Sequence, residues 1–210
     1  VRNVYDMSEM FHHALKFDMP LDNWNVGAVR YMEYMFAFAG SFNQSINNWN
    51  VSNVTNMKAM FNNTTSFNQP LNDWNVINVE NMEDMFNSAN FNQPLNNWNV
   101  SNVTNMNGFF YANKFFNQPL NSWDVSSVTD MGHMFDRAYK FNQPLSNWNV
   151  SKVNNMYSMF ECANFNQQLD NWNVSSVINM TNMFAGAISF NQKLSNWDVC
   201  NVTNMTCMFH

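Results

Sequence analysis

Charge is scarce in this chain. Asp, Glu, Lys and Arg make up only 11% of its 210 residues, less than half the share usual in a soluble domain. The outside must therefore be coated by neutral polar groups, and Asn supplies most of them at roughly one residue in five. Basic residues are scarcest, nine against fifteen Asp and Glu, for a net charge of −6. They form no cluster, so the basic stripe that a nucleic-acid backbone demands is missing, and nucleic acid is not an expected partner. No stretch approaches the roughly 18 consecutive apolar residues of a membrane span. No charged-then-apolar leader opens the sequence at Val1, so any signal or anchor is expected outside these residues. Five glycines leave no Gly-rich phosphate loop. Three cysteines, Cys162, Cys200 and Cys207, show neither an even count nor C-x-x-C spacing. They read as free or buried thiols, one pair of which could bridge, and the redox compartment stays open.

What the chain has instead is a period. Its eight tryptophans fall at Trp24, Trp49, Trp74, Trp98, Trp123, Trp148, Trp172 and Trp197, at intervals of 24 or 25 residues. From one Trp to the next the unit is W-[ND]-V-x-x-V-x-[ND]-M-x-x-M-F-x-x-A-x-x-F-N-Q-P-L-x-x-W. The 24-residue copies lose a residue at one place, Ala89-Asn90-Phe91 and Ala163-Asn164-Phe165 against Ala138-Tyr139-Lys140-Phe141, which marks a loop between regular elements. There is no linker and no second composition. The expectation is one repeat solenoid over 1–210, part of a longer array, because one unit cannot bury its own apolar face and stacked units can.

Within the unit, V-x-x-V-x-N-M-x-x-M-F-x-x-A carries apolar residues every three or four positions. That spacing predicts a short helix with Val54, Met57, Met60, Phe61 and Thr64 on one face. An Asn or Asp before the first Met (Asp6, Asn56, Asn81, Asn105, Asp130, Asn155, Asn179, Asn204) is placed as an N-cap. The segment F-N-Q-P-L-x-x-W predicts a short parallel strand starting at or after its Pro, with Gln69 and Leu71 on one side. The expected fold class is α/β: about eight units of short strand plus short helix, stacked roughly 40 Å long at the spacing of parallel strands. Asn and Gln at fixed positions are expected to form side-chain ladders along the axis.

The stretch Val51-Ser52-Asn53-Val54-Thr55-Asn56-Met57 with Met60-Phe61 recurs at 100–110, 125–135 and 199–209. This unit resembles the repeat of BspA-like leucine-rich-repeat surface proteins, among them the mycoplasma-lipoprotein-type repeat of unknown function. The resemblance covers the whole chain. It implies a leucine-rich-repeat-like solenoid, straight or horseshoe-shaped, on an extracellular cell or virus-particle surface, with adhesion or partner binding as its role. The sequence departs from that pattern in carrying mostly Ala where the family often has Cys, and Q-P-L with Trp in the strand.

Candidate chemistry is thin. His12, His13 and His133 occupy variable positions, and neither His nor Cys lies at a spacing that completes a metal site; they read as surface histidines. Glu80, Glu83 and Asp84 read as a solvated helix face. Most of the 18 methionines hold the two core positions of the unit, where Met is an adaptable filler. The Asn-x-Ser/Thr sequons follow from the repeat itself. No catalytic residue, metal or cofactor is expected, and the chain is not expected to be an enzyme. Aromatics outside the core pattern are the residues that anchor partners, and Tyr5, Tyr31, Tyr34 and Phe38 gather in the first two units. The expected function is a non-enzymatic surface scaffold that binds a protein or glycan. The alternative is a structural subunit that stacks end to end into a filament, fibre or coat.

Overall fold

The computed structural model describes residues 1–210. The chain winds into successive coils of one repeat each, and neighbouring coils meet in parallel bridges of a single residue. These run from Asp6–Tyr31 through Tyr31–Asn56 and onward to Asn179–Asn204. No α-helix is present, and no strand is longer than that one residue. The expected α/β solenoid of strand-plus-helix units is therefore not the fold. The chain is a stack of turns.

The M-x-x-M-F-x-x-A segment shows why. The Met10 N–H donates to the Met7 carbonyl at 3.3 Å, and the Ala14 N–H to the Phe11 carbonyl at 3.0 Å. Glu9 and His13, the third residue of each closed loop, both have φ of 58°. These are two type II turns in succession. The pair recurs down the stack, with positive φ at Tyr34 and Phe38, Asp84 and Ser88, Gly108 and Ala112, and His133 and Arg137. A left-handed residue at every fourth position cannot belong to a right-handed helix. Turns that each close over three residues and follow one another every four bring side chains to one side at three- and four-residue spacing, as a helix does. The periodicity thus identifies the buried face (Met57, Met60, Phe61 and Thr64 are all fully buried) while misassigning the backbone.

The backbone donors of this segment look to the next coil. Met7, Glu9, Phe11 and His13 donate to the carbonyls of Tyr31, Glu33, Met35 and Ala37 at 2.8–2.9 Å. The residues expected as N-caps serve a related purpose. Asp6 Oδ1 accepts from the Ser8 N–H at 2.9 Å and Asn56 Oδ1 from the Lys58 N–H at 3.0 Å. Such Asx turns start the first type II turn of their coil.

The F-N-Q-P-L segment forms no strand either. Leu71 is buried and Gln69 only half so, and side chains supply the pairing that backbone carbonyls would give in a sheet. Asn43 Oδ1 accepts the Asn68 N–H at 3.1 Å, Asn68 that of Asn92 at 2.8 Å, and Asn92 that of Asn117 at 2.9 Å. The neighbouring Gln joins the same oxygen, as Gln69 Nε2 does on Asn43 at 3.2 Å. Pro can sit beside this ladder because no backbone donor is required of it. In the 24-residue coils the A-x-x-F turn seen from Ala138 to Phe141 is missing. There Asn90 and Asn164 donate instead to the carbonyls of Thr65 and Tyr139, one coil back, at 2.8 and 2.9 Å.

Inside, 61 buried residues form one apolar cluster from Met7 to Met208. Two columns of Phe rings run through it, with Phe36, Phe61 and Phe86 stacked at 5.7 and 5.5 Å and Phe42 on Phe67 at 5.7 Å. Each Trp after the first reaches back one coil with its indole N–H. Trp49 donates to Leu21, Trp74 to Ile46 and Trp98 to Leu71, at 2.8–3.0 Å.

Ala112→Gly separates turns from helix by sign. At φ 51° and half exposed, Gly is expected to relieve about 1 kcal/mol of left-handed strain, outweighing a chain-entropy loss of about 0.5 kcal/mol. In a helix the same change would destabilise by about 1 kcal/mol. Urea titration should show a midpoint that holds or rises; a clear fall contradicts the turn assignment.

Candidate binding face

Among the positions outside the fixed pattern of the repeat are the central residues of the two type II turns, most of them at least partly exposed and a few, such as Ala37 and Ala59, buried. In successive coils they are Ser8, Glu9, His12 and His13; Glu33, Tyr34, Ala37 and Phe38; Lys58, Ala59, Asn62 and Asn63. Together they make a turn face whose chemistry changes from coil to coil. Side chains on it lean toward the following coil. A Cβ built on Gly108 would stand 2.1 Å from Asp84 Oδ1, and one on Gly186 would stand 2.9 Å from Cys162 Sγ. A Cβ on Gly132 would lie 2.7 Å from Asn107 Nδ2, which reaches past it to Asp130 Oδ1 at 3.1 Å. With coils about 4.8 Å apart, three of the long side chains in this column have a small residue after them: Ala59 follows Tyr34, Gly108 follows Asp84, and Ser158 follows His133.

Gly108 opens a notch of about 270 Å³ lined by Asp84, Asn87, Asn107, Tyr111 and His133. Asp84 Oδ1 accepts from Asn87 Nδ2 at 2.9 Å. His133 meets the Tyr111 ring edge-on at 5.7 Å and the Tyr157 ring at 4.8 Å. Its Nδ1 is 2.9 Å from Asp136 Oδ2, and Arg137 Nη1 donates to the Tyr111 hydroxyl at 2.6 Å. Asp136 is 2% exposed. Its Oδ1 has no hydrogen-bond partner, and the Arg137 Nε stands 3.9 Å away. Burial, first of all, pushes the Asp136 and Asp84 carboxyls above the usual carboxylate range, against hydrogen bonds from His133 and Asn87 that pull them down. His133 and Asp136 resemble the base and orienting acid of a hydrolase. Ser158, the next residue in the His133 column, has a fully buried Oγ with no hydrogen-bond partner, so no accessible hydroxyl completes such a relay.

Of the four aromatics expected to hold a partner, Tyr34 and Phe38 lie on the turn face within a ring cluster. Phe38 stacks on His13 at 4.6 Å, and His12 is 5.8 Å from Tyr34 and 6.0 Å from Phe38. Tyr5 and Tyr31 are 63% and 39% exposed. They sit beside the bridge column, where the Tyr31 N–H bonds to the Tyr5 carbonyl at 3.4 Å, and Tyr31 takes the place that other coils give to Asn or Asp. The expected patch is therefore two pairs. His133 is not a free surface histidine, since it is half-buried on Asp136. The solvated-helix reading of the acidic trio fails too: Glu83 pairs with Lys58 at 3.0 Å, and Asp84 folds over Gly108. The signal for the notch was Gly108 itself, one of five glycines, at a position where most other coils carry a side chain.

A family model described as "Mycoplasma protein of unknown function, DUF285" matches residues 1–98, 74–164 and 146–210. The chain belongs to the DUF285 family. The overlap of successive matches is what a register repeating every 24 or 25 residues produces. No curated protein matches this DUF285 chain. Among solved structures, an internalin from Listeria monocytogenes aligns over 85% of this chain and 71% of its own at 8% identity; the TM-score of 0.18 carries no argument about the fold. No helix of the DUF285 protein is long and apolar enough to cross a membrane.

The two raised carboxyls fix a pH response. Each binds its proton more tightly in the folded than in the unfolded chain. Their contribution to stability is therefore full below the ordinary carboxylate range and is lost as pH rises through the folded values. Asp84→Asn combined with Asp136→Asn is expected to flatten this trend. Urea midpoints measured from neutral pH downward should rise for the wild type relative to the variant; parallel curves would refute the assignment.

Proposed function

We propose that this protein is a non-enzymatic, surface-exposed scaffold that binds a partner through its turn face. The observation that carries this reading is the division of labour within each coil. Met, Phe, Trp, Leu and Val fill the core, Asn and Gln maintain the ladders, and the turn-face residues change charge, size and aromaticity from coil to coil. Left-handed turns hold these side chains on backbone bonded to the next coil, so little ordering remains to be done on binding. The face carries aromatic anchors of the kind that dominate interfaces, Tyr34, Phe38, Tyr111 and Tyr157, each half-exposed. Likeness to the repeat of BspA-like surface proteins supports an extracellular or particle-surface location and a role in adhesion.

The test compares the purified chain with a variant whose turn face is made uniform by Tyr34→Asn, Phe38→Asn, Tyr111→Asn and Tyr157→Asn. Both are applied to intact cells and to immobilised glycans and surface proteins. Wild-type binding that the variant loses, with its melting temperature kept, supports the reading. Absence of binding by the wild type, or equal binding by both, refutes it.

A further inference from the structure

The geometry points to the Gly108 notch as a subsite for a single hydroxyl-rich ring, a neutral hexose unit of a glycan. This rests on the turn face being a binding surface and adds the chemical class that one part of it takes.

One missing side chain lets the Asp84 carboxylate lie over Gly108, 2.1 Å from where a Cβ would stand, and form one wall of the notch. Asp84 and His133 occupy the same left-handed position two coils apart, a separation of roughly 9–10 Å at the stacking distance of parallel chains. Gly108 between them contributes no Cβ. The resulting volume of about 270 Å³ falls just below the range of drug-sized pockets, about 300–1,000 Å³, and suits one ring rather than a chain of them. Four of the five lining residues are polar, with the Tyr111 ring as the apolar wall.

The unused hydrogen-bonding atoms decide the ligand class. Asn87 Nδ2 donates to Asp84 and its Oδ1 accepts from Ser88 Oγ at 2.8 Å, while Asn107 Nδ2 donates to Asp130 and leaves its oxygen as the free amide acceptor. Asp84 Oδ2 forms no bond within the protein. The Tyr111 hydroxyl accepts from Arg137 and keeps its own proton to donate. His133 Nδ1 faces Asp136, which leaves Nε2 free and fixes the ring plane. Acceptors and donors thus stand side by side, as vicinal hydroxyls require, since each hydroxyl both gives and takes a bond. Other classes fit less well. An anion would meet the Asp84 carboxylate. A metal ion would find no group of three His, Cys, Asp or Glu side chains placed to hold it. An apolar ligand would leave Asp84 Oδ2 and the Asn107 oxygen desolvated and unpaired.

Gly108→Ala is the sharp variant. Ala59 and Ala112 hold the same left-handed conformation elsewhere on this face, at φ 52° and 51°, so the backbone tolerates Ala. The added methyl would collide with the Asp84 carboxylate and push it out of its place in the wall of the notch. The ¹⁵N-labelled chain is titrated separately with glucose, galactose, mannose and N-acetylglucosamine while amide shifts are followed. At least one sugar is expected to move the amides of Asp84, Asn87, Gly108, Tyr111 and His133 in a saturable way. Gly108→Ala is expected to weaken that response by about tenfold or more, and Ile188→Asn, at a 92% exposed position off the turn face, to leave it intact. If none of the four sugars moves these amides, or if one moves them equally in Gly108→Ala, the assignment is overturned. Cell or protein binding that persists in Gly108→Ala alongside a silent sugar titration would sink the notch while leaving the turn-face reading standing. A silent titration in a wild-type chain that also binds neither cells nor proteins would sink both.

Discussion

The indole N–H of each tryptophan after the first has no acceptor in its own coil. It finds one in the carbonyl of the Leu or Ile one coil back. A buried donor and a buried acceptor left apart would each carry the full desolvation penalty, about 1–3 kcal/mol; joined, they set how far apart and in what register two coils must stand. Seven such bonds, from Trp49–Leu21 to Trp197–Leu169, are repeated at intervals that absorb the one-residue deletions. The 24-residue coils therefore keep the same lock as the 25-residue ones.

Once that register is set, the other inter-coil features follow from it. The Phe columns stack because their coils are held at aromatic contact distance. The donors of Met7, Glu9, Phe11 and His13 can afford left-handed turns because acceptors one coil away are already in place. The Asn ladder replaces strand pairing in the half of the coil that contains Pro. Stability of this kind is nearly one-dimensional, shared between neighbours rather than held within a unit.

How much of this was legible in the sequence divides along physical lines. The period, the buried positions and the Asn ladders are written in residue type, and the Trp spacing alone located every coil. The backbone was not legible, because M-x-x-M-F-x-x-A places apolar groups at three and four residues whether it coils as a helix or folds as two type II turns. Propensity pointed the wrong way as well, since Ala59, Ala112 and Glu9 are not residues that announce a positive φ. Only tertiary hydrogen bonds make it affordable there. At the candidate site, Tyr34 and Phe38 were visible as aromatics outside the pattern. The Asp84–Gly108–His133 notch was not, since it depends on which way a left-handed side chain leans across the 24 or 25 residues that separate adjacent coils.

Hydrogen exchange of the eight indole protons measures the inter-coil lock directly. In the 210-residue chain the Nε1–H resonances of Trp49, Trp74, Trp98, Trp123, Trp148 and Trp172 should exchange slowly. Trp197, half-buried but bonded to Leu169, should follow them, and Trp24, partly buried and without an indole hydrogen bond in this chain, should exchange fast. Rapid exchange at the six interior tryptophans, or protection of Trp24 equal to theirs, would contradict the account.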